Sequence, residues 1–274
     1  VFVTVTDIKI NGETASSFSG ATTVDLLALQ NGSTQVLATE DLNAGTYNNV
    51  TFTIDLAQDA SGNSPGSYVL TSEGKEALEM SGKSTIDLVA TGDYTVMANT
   101  TNNFVIDFDL RKMIKSEGSG STGDNFTLVT QNEANAALRI VSKQRAGNVM
   151  GTVDMTGFQG ADKVVVYAYK SGSFNESAET QAQGDSQIMF ANAVSSTAVS
   201  GSMVGSGSFQ LNFLEEGEYD LVYAAYSEDV TDGSLTFDGF IDTSAGINGE
   251  IIDTISVEAN ADVNLELSLN TIFG

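Results

Sequence analysis

The six-residue pattern Leu-x-x-Gly-x-Tyr occurs once in each half of the chain, as Leu42, Gly45 and Tyr47 and again as Leu214, Gly217 and Tyr219. Each copy closes a connection and opens a strand. After Tyr47 the apolar residues Val50, Phe52, Ile54 and Leu56 fall on alternate positions, the period of a half-buried strand; after Tyr219 the run Leu221, Val222, Tyr223, Ala224, Ala225 reads as a more fully buried one. A Tyr at a strand start, preceded by a Gly that lets the backbone turn, is the sequence form of the tyrosine corner of Greek-key sandwiches. Two corners predict an all-β chain of two tandem antiparallel β-sandwiches, immunoglobulin-like or transthyretin-like, over 1–146 and 147–274.

With 274 residues, 41% of them hydrophobic, each half can bury its own core. There is no Cys, His or Trp, so disulfide, thiol and imidazole chemistry are excluded. The net charge is -25, and after Lys170 come seventeen acidic residues and no Lys or Arg. Six of the eleven basic residues, Arg111, Lys112, Lys115, Arg139, Lys143 and Arg145, lie where the first half ends. Such a surface repels phosphates and anionic membranes, which excludes nucleic-acid binding, and it suits a saline or cation-rich exterior. The longest apolar runs, such as Val164 to Tyr169, have the length of a buried strand and fall far short of the ~20 residues a membrane helix needs. The chain opens on Val1 inside a strand pattern, which predicts that upstream residues were removed or left out.

Strand candidates recur with turn residues between them. Besides the two that follow the corners, the pattern predicts strands at Phe2 to Ile10, Val36 to Ala38, Lys163 to Lys170, Ile188 to Ala191 and Val263 to Leu269. It predicts a helical turn over Gly74 to Met80, a turn at Thr91-Gly92-Asp93, and loops over the low-complexity run Ser116 to Gly123 and over Ser195 to Ser208.

Several first-half motifs carry a resemblance. Val24-Asp25-Leu26-Leu27, Leu29 with Asn31-Gly32, Leu42-x-Ala44-Gly45-x-Tyr47, and Val105-Ile106-Asp107-Phe108-Asp109 resemble, in order and spacing, a domain of unknown function of exported prokaryotic envelope proteins, often lipoproteins. The resemblance covers most of residues 1–142. That family usually opens with a strand and an Asp-Ala-Pro turn ahead of the strand that begins here at Val1, so the resemblance implies a vacant edge in the first sandwich. In the second half, Gly151-Thr152-Val153, Gly207-Ser208-Phe209 and Leu214-x-x-Gly217-x-Tyr219 look like a transthyretin-like or carboxypeptidase-regulatory-like sandwich. Neither family brings a catalytic residue set.

The candidates for chemistry are few. Ser72-x-x-Lys75 has Ser-Lys nucleophile spacing, which a Ser-rich chain also produces by chance. Asp107 and Asp109 fall on one side of a strand and read as a carboxylate pair for glycosidase work, as cation ligands, or as a solvated face. Glu228, Asp229, Asp232, Asp238 and Asp242 read as an acidic loop or, through Asp229, Asp232 and Asp238, as a calcium site, although their spacing departs from the helix-loop-helix calcium pattern. No other cofactor is expected. Asn31, Asn49, Asn99, Asn125 and Asn175 each begin an Asn-x-Ser/Thr triplet, of consequence only in a host that glycosylates exported proteins. Without Trp, a sugar-stacking platform must come from the eight Tyr.

The sequence therefore predicts a non-enzymatic extracellular structural protein, a cell-surface or pilin-like fibre subunit whose partners are copies of itself or other surface proteins. Val263, Leu265, Leu267 and Leu269 alternate with polar residues, and this apolar strand face either completes its own sandwich or serves as an assembly strand donated to a neighbour. The alternative reading is a lipid-anchored envelope module that binds a carbohydrate or protein ligand.

Overall fold

The computed structural model describes residues 1–120, 123–156, 158–201, 205–230, 233–247, 250–251 and 254–273. Strand makes up 54% and helix 8%, so the chain is all-β. Two compact units divide it: Val1–Ser142 with Gly184–Ser186, and Lys143–Gln183 with Gln187–Gly274.

The first unit contains β1 (Phe2–Ile10), β2 (Glu13–Thr14), β3 (Thr22–Asp25), β4 (Gly45–Asp55), β5 (Tyr68–Leu70), β6 (Lys75–Glu79), β7 (Thr85–Val96), β8 (Phe104–Phe108), β9 (Ile114–Gly120), β10 (Gly123–Leu128) and β11 (Leu138–Ser142), with short helices α1 (Leu110–Met113) and α2 (Gln131–Ala136). The main sheet runs β7-β4-β1-β5-β6-β10-β9, and β8 pairs with β11. The alternation after Tyr47 holds, with Val50, Phe52, Ile54 and Leu56 all buried. β1 is paired on both sides, by β4 on one and by β3 and β2 on the other, so no vacant edge lies beside it.

Four local expectations fail in this unit. The segment expected to turn helically is β6, an extended strand held between β5 and β10 with Leu78 buried. Thr91-Gly92-Asp93 is no turn: the β4–β7 ladder runs past it through a register shift, which re-aims Tyr94 and Val96 into the core. The Ser/Gly run forms β9 and the start of β10, while Val36 to Ala38 forms no strand. The β7 edge is blunted by α2, whose Asn135 Oδ1 accepts from the Val89 N–H at 2.9 Å and whose Gln131 side chain donates to the Asp87 carbonyl.

The second unit contains β12 (Ala146–Asp154), β13 (Lys163–Lys170), α3 (Glu176–Glu179), β14 (Ser195–Ala198), β15 (Ser200–Gly201), β16 (Ser206–Glu215), β17 (Gly217–Glu228), β18 (Leu235–Ile247), β19 (Glu250–Ile251), β20 (Thr254–Val257) and β21 (Asp262–Phe273). Strand order is β14-β13-β17-β18-β21-β12-β16-β15, with β19 on β18 and β20 on β17. Pairing is mostly antiparallel, but β12–β21 is parallel, as is β6–β10 in the first unit. Part of the expected Ser195 to Ser208 loop is β14 and β15, and Ile188 to Ala191 is not a strand.

Two apolar layers sandwich β13. Val164, Val166 and Ala168 face the main core with Val149, Leu211 and Tyr219; Val165, Tyr167 and Tyr169 face a second cluster with Phe190, Ala224, Tyr226 and Phe240. Between its terminal lysines this strand is apolar because both its faces are buried. Cross-strand packing explains a glycine: the Phe209 ring lies where a Cβ on its partner Gly151 would be, 2.0 Å from Cε1.

Both Tyr motifs close as tyrosine corners. The Tyr47 hydroxyl donates to the Asn43 carbonyl at 2.9 Å, and the Tyr219 hydroxyl donates to the Glu215 carbonyl at 2.9 Å while accepting from Lys170 Nζ at 2.7 Å. Tyr219 is fully buried; Tyr47 is half-buried.

Candidate functional site

The C-terminal segment singled out for assembly is β21. Its pattern follows the expected alternation, with Leu265, Leu267 and Leu269 buried in the main core and Val263 packed against it. Its polar edges are occupied within the same chain: seven residue pairs, Asn148↔Asp262 to Asp154↔Ser268, join it in parallel to β12, and Phe240↔Phe273 to Gly246↔Glu266 join it antiparallel to β18. β21 thus occupies an interior position in its own sheet.

The carboxylates are spread among local partners. Asp107 lies on β8 opposite Arg139 of β11, and the two form an ion pair at 2.5 Å. Asp109 lies past the end of that strand, at the N-cap of α1, with Lys112 Nζ at 3.4 Å. The expected pair is therefore divided between two cations, each carboxylate held for a different reason. Lys75, the base of the Ser-Lys reading, has Asp59 at 3.3 Å and lies 4.2 Å from the centre of the Tyr68 ring.

In the acidic loop, Glu228 meets Lys163 Nζ at 2.8 Å and Asp238 accepts from the Ser227 hydroxyl at 2.7 Å. The Asp229 N–H donates to the Ser234 carbonyl at 2.9 Å, closing the turn; Asp232 lies outside the described residues. Among the described residues no three acidic side chains are grouped to hold a metal ion. Of the Asn-x-Ser/Thr positions, Asn175 caps α3 by accepting from the Ala178 N–H at 3.1 Å, and Asn31 and Asn99 are exposed with φ of 56° and 57°.

The most enclosed charged side chain among the described residues is one that no sequence motif marked, Glu179, at 2% exposure. Its carboxylate accepts from the Tyr169 hydroxyl at 2.9 Å, the Asn192 N–H at 3.2 Å, the Asn192 side-chain amide and, at 3.5 Å, Gln183 Nε2. Donors from Tyr169, Asn192 and Gln183 satisfy the buried carboxyl group. The hub pins the 171–194 connection over the outer face of β13, where Phe190 stacks on Tyr167 at 4.3 Å between ring centres. Phe190 adopts φ of 56°, costly for a bulky side chain, and the stacked ring offsets that strain. The sequence carried no clear signal for this hub: Glu179 follows Glu176 in a polar stretch between Phe174 and Phe190.

These arrangements organise strands and turns. Residues 1–128 match the family model described as Domain of unknown function (DUF4382). No curated protein matches the chain. The DUF4382 match ends at Leu128, inside the first unit, and covers the Leu42-x-x-Gly45-x-Tyr47 corner together with β1 to β10.

Proposed function

We propose that this chain is a non-enzymatic structural subunit of the cell exterior, part of a surface layer or fibre, whose second unit is a transthyretin-like or carboxypeptidase-regulatory-like sandwich. One observation carries the reading: the polar groups that could have served catalysis, Asp107, Asp109 and Lys75, are each committed to an ion pair that holds a strand or turn in place. The acidic second half adds to it, because a surface of one sign is tolerated best where salt or divalent cations screen it.

Assembly by donating the C-terminal strand is the finer form of this reading. The interior place of β21 argues for contacts that leave it where it is, since removal would part β12 from β18. The test is surface shaving and electron microscopy of the native cells with an antibody against the chain. Label on surface layers or filaments is expected; label confined to the cell interior would sink the proposal.

A further inference from the structure

The second unit begins with β12 and its last described strand is β21, and these two strands are parallel neighbours over seven residue pairs. In a parallel pair, tension that enters at Ala146 and leaves at Phe273 pulls β12 toward its N-terminal end and β21 toward its C-terminal end. The two strands must then slide past each other along their length. Every rung of the ladder is loaded together, whereas strands pulled apart from one end open rung by rung. We propose that the second unit is a load-bearing module in which the β12–β21 ladder resists tension in shear.

Three further observations support the ladder as a joint. Side chains tie it at its lower end, where Asn148 Nδ2 donates to Asp262 Oδ1 at 2.8 Å, and the Asn148 N–H donates to the Ala261 carbonyl at 2.9 Å. Gly147 lies so close to the 258–261 turn that a Cβ there would sit 2.5 Å from the Glu258 carbonyl oxygen, so β12 enters the sheet pressed against the segment that leads into β21. Leu265, Leu267 and Leu269 project from β21 into the main core beside Val149 and Val153 of β12, so sliding by one residue would turn an apolar row out of the core. β21 is also antiparallel to β18, and that second ladder is sheared by the same pull.

The inference deepens the surface-subunit reading and rests on it for its biological sense, but its test is independent of location. The chain has no Cys, so handles can be attached at chosen positions through single introduced thiols. The full chain is stretched in an optical trap in two geometries. With handles at its two ends, residues 146–273 should open at a force several-fold above that needed with handles at an Asp238→Cys site and the C-terminal end, which peels β18 from β21. Equal forces in the two geometries would overturn the inference while leaving the surface role standing. A second comparison uses Leu267→Ala on β21 and Leu211→Ala on β16, both in the same core. Both should lower the melting temperature, but only Leu267→Ala should lower the shear force; equal losses of force would mean that resistance tracks overall stability, and the ladder would lose its assigned role.

Discussion

At the scale of single residues, three tyrosines rank themselves by what their hydroxyls touch. Tyr219 is fully buried and bonded to a carbonyl and an ammonium, so Tyr219→Phe should cost about 1 to 3 kcal/mol. Tyr47 makes the equivalent carbonyl bond from a half-buried position where water can replace it, so Tyr47→Phe should cost no more than about 1 kcal/mol. Tyr223 lies in the core, its hydroxyl without a partner among the described residues and its ionisation pushed up by burial, and Tyr223→Phe should be neutral or stabilising. Denaturant melts of the three variants check the order 219 above 47 above 223. The two corner residues were legible because Gly and Tyr at fixed offsets leave a local mark. The separation of Asp107 from Asp109 was not, since it depends on β8 ending one residue earlier and on Arg139 arriving from a strand some thirty positions away.

Elements differ in how much of their fate is written within them. The alternation in β4 and β21 and the solid apolar run of β13 were readable, because side-chain period and burial are properties of the segment itself. β6 goes against its local propensity: Glu76, Ala77 and Leu78 suit a helix, but the hairpin with β5 and the pairing with β10, much later in the chain, hold them extended. Deleting residues 262–274 removes three buried leucines from the main core, each contributing about 1.5 to 3 kcal/mol, and splits the sheet. The second unit should then lose its cooperative melt while the first keeps its own; two retained transitions would contradict the assignment.

The helix α2 offers a pH test. Glu133 at its start loses solvent, which raises its pKa, but the hydroxyls and N–H groups of Ser186 and Thr130 outweigh this and hold it down at about 2. A depressed carboxylate stabilises the fold above its unfolded pKa and loses that contribution as pH falls through its folded one. Between about pH 4.5 and 2 the wild-type first unit should therefore lose more stability than Glu133→Gln. Parallel curves for the two proteins would contradict it.

For the molecule as a whole, charge is divided as unevenly as the fold is regular. Repulsion among the seventeen carboxylates after Lys170 acts over a Debye length that shrinks from roughly 30 Å at 0.01 M salt to about 3 Å at 1 M. The melting temperature of the second unit should rise over that range and that of the first should rise less; calorimetry at both ionic strengths decides it. The parallel neighbours β12 and β21 carry one more consequence, in the time the chain takes to be made. Asn148 waits for Asp262, 114 residues later, which at 5 to 20 residues per second is roughly 6 to 23 s of synthesis. Over that interval β12 has one ladder unfilled and its core side chains uncovered, while β1 to β11 have long since emerged. Of the two units, the second therefore completes its fold after the first, and its excess of like charge opposes association while it waits.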